Sequence, residues 1–276
     1  FLKINKYNFK NSKYVGSVTD VRGSELPRID AITFGSPCQD FSLAGNRKGM
    51  AGERSSLILE AIRLIQECRP RFFVWENVKG TFSSNNREDF AAILQAFANI
   101  GGYRLEWQLL NTKWFLPQSR ERVYLVGYTP KGSRGQIFPI TESAFDTQRL
   151  AGEREESACI TTSYHKGMNY DNQLIAASRG RNPNDLNDRQ AGSPMQQRLE
   201  INKEGISNTL TSVHKDNYVV GNQQTIRRLT PIECERLQGF PDNWTLANGI
   251  SDTQRYKMCG NAVTVDVVEA VGKRIL

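Results

Sequence analysis

The sequence predicts an α/β fold, and three features carry that expectation. Short apolar runs rich in β-branched and aromatic residues stand at 29–34, 71–75, 103–110 and 123–127. Two stretches with apolar residues at helical spacing lie between them, at 55–68 and 89–100. The alternation of strand and helix holds to Tyr128 and fades from about residue 135, so the sheet is assigned to the amino-terminal half.

The first run, Ile29-Asp30-Ala31-Ile32-Thr33-Phe34, ends at Gly35-Ser36-Pro37, which stops a strand. Cys38 follows at the carboxyl end of that strand, where open α/β sheets place their ligands. A cysteine on such a loop acts as a nucleophile when nearby charge or dipoles favour its thiolate. The competing reading is a small buried hydrophobe, which is what most free cysteines are. The segment 44–54, with Arg47, Lys48 and Arg54 among glycines, reads as a mobile loop able to close over a ligand.

Leu57, Ile58, Ala61, Leu64, Ile65 and Cys68 form the apolar face of a helix over 55–68, with Ser55 as its cap. Cys68 is expected in the core. The second run, Arg71-Phe72-Phe73-Val74-Trp75, ends in Glu76-Asn77-Val78. A carboxylate at a strand's end after an apolar run is poised for burial, which raises its pKa and lets it serve as an acid near neutral pH. Phe90, Ile93, Leu94 and Phe97 mark the helix over 89–100, ended by Gly101-Gly102. Gln118, Arg120 and Arg122 alternate ahead of the run at 123–127 and in extended chain project to one face.

From 141 to 226 the chain is polar and lacks long apolar runs. Thr162-Ser163-Tyr164-His165-Lys166 recurs weakly as Thr211-Ser212-Val213-His214-Lys215, and these copies hold both histidines of the protein. The repeat reads as two strand-loop units offering hydroxyl, amide and imidazole groups, or as solvated strands alike by chance. Residues 178–198 read as a flexible insertion, with Arg179 and Arg181 within reach of phosphate. Beyond it, Thr230 is a helix N-cap, Pro231 the first helical position and Glu233 the third residue after the cap. The last helix follows Gly260-Asn261-Ala262-Val263 and presents Val267, Val268, Val271 and Ile275 on one face.

Composition narrows the function classes. The 276 residues carry a net charge of +7 at a mean hydropathy of −0.52. No run approaches the roughly 18 apolar residues that span a bilayer, and no secretory leader pattern opens the chain; a cytoplasmic protein is expected. Five cysteines without a C-x-x-C pair argue against a disulfide framework and a zinc site. Residues 1–140 hold 20 Lys and Arg against 12 Asp and Glu, whereas 141–226 hold 9 against 11. The basic surplus therefore sits with Cys38 and Glu76, as a polyanion partner would require.

Pro37-Cys38-Gln39, Glu76-Asn77-Val78 and Gln118-x-Arg120-x-Arg122 stand in the order and spacing of DNA (cytosine-5)-methyltransferases of the bacterial and phage restriction-modification type. Two later segments, from Arg228 to Asp242 and Gly260-Asn261-Ala262-Val263, extend the likeness. The sequence resembles that family over about residues 15–130 and 225–276. The resemblance implies a Rossmann-like methyltransferase sheet in a catalytic domain over 1–140. It further implies a smaller, mostly β or irregular target-recognition domain over 141–226. Residues 227–276 would be a bracing segment and a helix returning to the catalytic domain.

The family's glycine-rich cofactor turn and the acidic residue after it do not occur in this sequence. The chain is therefore expected to be truncated at its amino end, or one half of a split enzyme with a complementing chain. The resemblance implies S-adenosylmethionine held by Ser17, Val18, Pro37, Leu57, Asn261, Ala262 and Val263. It implies Cys38 as the nucleophile on cytosine C6, Glu76 at N3, and Arg122 with Arg120 at O2 and neighbouring backbone. Gln39, Ser42, Arg47, Lys48, Arg54, Asn77, Gln118, His165 and His214 are expected at the DNA, with the enzyme a monomer on the duplex and the target base flipped out. An RNA cytosine-5 methyltransferase, or a non-catalytic DNA-binding subunit, shares parts of this pattern.

Overall fold

The computed structural model describes residues 2–36, 56–83, 87–130, 135–142, 174–186, 188, 192–202, 206–212, 217–220 and 226–276. The chain divides into two units. One comprises 13–110, 121–140 and 271–276; the other comprises 1–12, 111–120 and 141–270.

The first unit is built on four strands, β1 (Ala31–Gly35), β2 (Phe72–Val78), β3 (Arg104–Asn111) and β5 (Glu121–Tyr128), in the order β1-β2-β5-β3. The intervening β4 (Gln118–Ser119) belongs to the other unit. β1 runs parallel to β2, as an intervening helix requires. β5 runs antiparallel to β2, from Phe72 opposite Tyr128 to Val78 opposite Arg122. The sheet is thus mixed, and that pairing sets Glu76 diagonally across from Arg122.

The expected elements form within one or two residues of their sequence limits. Helix α2 spans Ser56–Cys68, α3 is the single turn Gly80–Ser83, and α4 spans Glu88–Ala98. Along β2 burial alternates: Phe73, Trp75 and Asn77 are buried, while Phe72, Val74, Glu76 and Val78 are half-buried. Phe73 and Trp75 join Ile58, Ile62 and Ile65 of α2, Phe90, Ile93 and Phe97 of α4, and Val123 and Leu125 of β5 in one core. At about 25 cal/mol per Å² of apolar surface, these side chains supply the main force holding the sheet to its helices. Gly127 fits because a Cβ there would lie 2.2 Å from the Phe73 ring. Cys68 is half-buried rather than fully in the core.

The second unit holds an antiparallel sheet of β6 (Leu174–Arg181), β7 (Gln196–Ile201), β9 (Asn217–Val220) and β10 (Ile226–Arg228), ordered β10-β9-β6-β7. A short parallel pair joins β4 to β8 (Ser207–Asn208). Its helices are α1 (Leu2–Asn8), α5 (Pro231–Leu237), α6 (Asp252–Asn261) and most of α7 (Val265–Ile275). Thr230 and Glu233 form the expected capping box, and Ser251 with Gln254 forms another on α6. Leu210, Val219, Leu229, Cys234, Leu237 and Cys259 make its core.

Two expectations are corrected here. The segment expected as a flexible insertion contributes β6 and β7, paired from Ala176–Ile201 to Arg181–Gln196. Arg181 pairs with Glu200 of β7, and Arg179 Nη2 donates to the Thr209 carbonyl, just past β8, at 3.1 Å, so both arginines make bonds within their own unit. On α7, Val267, Ala270, Val271 and Ile275 are buried while Val268 is 43% exposed. One residue of helix turns a side chain by about 100°, which carries Val268 off the buried stripe.

Candidate active site

β1 ends at Gly35 and hands the chain to Ser36, which two side chains of β2 hold in place. Trp75 Nε1 donates to Ser36 Oγ at 3.0 Å, and Asn77 Nδ2 donates to the same oxygen at 2.9 Å. Asn77 Oδ1 accepts from the Val78 amide at 2.8 Å. Trp75 and Asn77 are both buried, so these bonds form away from competing water. Expected at the DNA, Asn77 instead spends its amide on Ser36, the first residue after β1, and on the Val78 amide. Pro37, Cys38, Gln39, Ser42, Arg47, Lys48, Arg54, His165 and His214 lie outside the described residues.

On the other face of β2, Glu76 Oε1 lies 3.1 Å from Arg122 Nε. Their side chains keep 20% and 16% of their exposure, so the pair is shielded yet open on one side. Arg122 Nη1 also donates to the Glu121 carbonyl at 2.8 Å, which orients the guanidinium. A carboxylate and a guanidinium side by side present an acceptor and a fork of donors to one ligand edge.

Around the Ser17 segment the scaffold is polar and exposed. Ser17 Oγ and Thr19 Oγ1 are 2.8 Å apart, and Thr19 Oγ1 donates to Asp20 Oδ1 at 3.2 Å. Arg63 of α2 holds this segment, donating to the carbonyls of Val18 at 3.1 Å and Val21 at 2.9 Å. Glu60 and Glu67 flank the Arg63 guanidinium and raise its pKa further, mainly through the bond that Arg63 donates to Glu67. Val18 and Leu57 are half-buried. Sequence reading missed Arg63 because a charged residue on a helix face ordinarily points to water.

In the second unit, Gln118 and Arg120 are buried, at 0% and 3% exposure. Gln118 Nε2 donates to the Leu237 carbonyl at 2.6 Å and its Oε1 accepts from the Leu210 amide at 3.1 Å. Expected at the DNA, Gln118 is thus a brace between α5 and the chain after β8. Arg120 Nη2 donates to the carbonyls of Ala262 at 2.7 Å and Gly260 at 3.3 Å. Asn261 between them is exposed, with Ala262 and Val263 half-buried. The expected single face of Gln118, Arg120 and Arg122 therefore resolves into three different tasks.

The family model for C-5 cytosine-specific DNA methylases matches residues 2–276. The chain belongs to that family. This methylase is 31% identical over 287 residues to the Type II methyltransferase M.HpaII of Haemophilus parainfluenzae, covering 98% of this chain and 78% of that one. It is 29% identical over 287 residues to the Type II methyltransferase M.Bsp6I of a Bacillus species, covering 97% of this chain and 85% of that one. Its fold is shared with the S. pombe Dnmt2 methyltransferase, at a TM-score of 0.62, 17% identity and coverage of 99% and 86%. The methylase is thus a DNA cytosine-5 methyltransferase with a mixed α/β fold. No helix among the described residues is long and apolar enough to cross a membrane.

Proposed function

We propose that this methylase transfers a methyl group from S-adenosylmethionine to C5 of a flipped-out cytosine in duplex DNA, through a covalent bond between Cys38 and C6. The observation that carries this reading is the shielded Glu76–Arg122 pair on β2 and β5, of which β2 pairs with the strand that leads into Cys38. Cytosine C5 is a weak nucleophile within its aromatic ring, so the 5,6 double bond must first be opened. The Cys38 thiolate adds to C6, forming the sulfur–carbon bond and moving the π pair towards C5 and N3. Glu76 gives a proton to N3, and the Arg122 guanidinium holds O2, so the arriving charge is met by groups already in place. Bound S-adenosylmethionine supplies the methyl group as an electrophile at C5. Loss of the C5 proton to a base and cleavage of the C6–sulfur bond then restore the double bond and free Cys38, while N3 returns its proton to Glu76.

The residues present fit such a cofactor. In one unit Val18 and Leu57 are half-buried apolar side chains suited to a flat base and Ser17 exposes a hydroxyl; in the other Val263 is half-buried and Asn261 exposes an amide. Pro37 and Ala262 complete the set that would hold it. In this reading Gln39, Ser42, Arg47, Lys48 and Arg54 meet the DNA, and 141–226, with His165 and His214, reads the target as the enzyme sits on the duplex as a monomer. Asn77 and Gln118 are given to the framework. The likeness to Type II methyltransferases supports a place in a restriction-modification system.

Covalent trapping tests the reading. The chain is incubated with S-adenosylmethionine and duplex DNA carrying 5-fluorocytosine, with Cys38→Ser as control, and resolved on a denaturing gel. Fluorine at C5 blocks the final elimination, so a Cys38-dependent adduct is expected. A chain that binds the duplex and gives no adduct overturns the proposed mechanism for these 276 residues. An adduct on RNA alone would transfer the reading to an RNA substrate.

A further inference from the structure

The turn between α6 and α7 is held from three sides, more heavily than its length requires. Arg120, at the end of β4, takes the carbonyls of Gly260 and Ala262 through one nitrogen. Gln238, just past α5 and fully buried, takes the preceding carbonyl: its Nε2 donates to Cys259 O at 2.8 Å. The same amide accepts from Thr264 Oγ1 at 3.0 Å, and the Gln238 carbonyl accepts from the Val265 amide at 2.9 Å. Since Thr264 spends its proton on Gln238, the 2.8 Å contact between Thr112 and Thr264 is a donation from Thr112. On the third side the backbone of Thr211 and Ser212 lies so near that a Cβ at Gly260 would stand 2.3 Å from the Thr211 carbonyl.

The Gln238 and Thr264 side-chain bonds are buried, and those of the charged Arg120 donor are partly buried. They fix the backbone from Cys259 to Val265 and leave the Asn261 side chain exposed at the centre of the fixed stretch. Buried helix ends need protein partners in place of water, but here partners from three separate segments converge beneath one exposed amide. Fixing the backbone beneath one exposed amide has a different use: it removes the entropy that the amide would otherwise lose on meeting a ligand.

We propose that Arg120 and Gln238 are positioning residues that preset the 260–263 turn, and Asn261 on it, for S-adenosylmethionine. This rests on the reading of that turn as part of the cofactor site, and it removes Arg120 from direct contact with cytosine.

The test pairs calorimetric titration of the full chain with S-adenosylmethionine and amide hydrogen exchange of residues 259–265. Arg120→Gln is expected to raise the Kd by about tenfold or more, as loss of a charge-assisted bond implies. The maximal rate at saturating cofactor stays close to wild type, and exchange accelerates at Ala262 and Val265. Arg120→Lys, which keeps one donor, recovers part of the affinity. Where Arg120→Gln does not fold, Thr264→Val removes the bond to Gln238 and the one from Thr112 at constant shape and is expected to show the same split with a smaller shift. An unchanged Kd in folded variants, or a fall in maximal rate at unchanged Kd, overturns the proposal. Asn261→Ala tests the underlying reading separately: wild-type affinity in that variant removes the turn from the cofactor site, even where exchange shows Arg120 clamping it.

Discussion

Glu76 and Arg122 sit on antiparallel strands with Oε1 and Nε 3.1 Å apart, Arg122 lying one diagonal step from the residue opposite Glu76. The pairing depends on β5 running antiparallel to β2, since register alone then decides which side chains share a face. Each residue therefore orients the other before substrate arrives. Glu76→Gln should keep the fold and lower methyl transfer by about 10²–10⁴-fold, the usual range for a lost acid. Arg122→Lys should fall in the same direction, since an ammonium cannot reproduce the planar fork. The two losses should not add in the double variant. Single-turnover rates on a methylatable duplex decide the matter; additive losses would mean that the residues act apart.

Ser36 gives a second test. Ser36→Ala removes the oxygen that Trp75 Nε1 and Asn77 Nδ2 share; Asn77 keeps the Ser36 carbonyl at 3.3 Å, so the cost of about 1–3 kcal/mol falls on the buried Trp75 donor. Because Cys38 follows two residues later, the rate of adduct formation should fall more than stability alone accounts for. Thr33→Ala, on the exposed side of β1, serves as control and should change neither. Equal effects of the two substitutions would show that the Ser36 contacts do not bear on Cys38.

The strands and helices around this site were legible in the sequence because each carries its own period: alternation in β2, and helical spacing through Ile58, Ile65, Phe90 and Phe97. The capping box at Thr230 was legible for the same reason, being a local pattern. Pairing direction was not, and neither were the long-range bonds of Asn77, Gln118 and Gln238. These side chains look alike in sequence whether an amide meets a ligand, water or a distant carbonyl. What separates them is burial at 0–3%, a property of the folded chain. β6 and β7 were missed because Arg179, Arg181, Gln196 and Arg198 break the apolar alternation by which a strand is recognised.

A buried ion pair anchors the helices of the second unit. Glu235, 0% exposed, accepts from Arg255 Nη2 at 3.0 Å, from the amides of Asn243 and Thr245, and from the Thr245 hydroxyl. Both oxygens of the carboxylate are thereby engaged, Oε1 by three donors and Oε2 by one, and such hydrogen bonding is the condition under which a buried charge is tolerated. Arg255→Met strands that charge and should cost about 3–5 kcal/mol in urea unfolding. Adding Glu235→Gln should return part of the loss, because the uncompensated charge goes with it. A double variant weaker than the single would refute this account.

Alkaline stability should report on the core beside that pair. Burial pushes Tyr256 from 10.0 up to about 12, and Cys259 from 9.0 up to about 12; it also raises Cys234. Each group is neutral in the native core and loses its proton more readily once unfolded. A group whose folded pKa is raised contributes stability in full below its unfolded pKa, and loses it as pH climbs through the folded value. The melting temperature should accordingly hold to about pH 9 and then fall towards pH 12, with the thiols acting from 9.0 and Tyr256 joining from 10.0. Tyr256 also donates to the Leu229 carbonyl at 2.6 Å. Tyr256→Phe should therefore be less stable at neutral pH by about 0.5–1.5 kcal/mol, while its decline above pH 10 is shallower than that of the wild type. Thermal melts at closely spaced pH values compare the two. Parallel curves across that window would mean that the phenol is as free to ionise in the fold as in the unfolded chain, and that the core around Leu229, Cys234 and Cys259 is wetter than its packing implies.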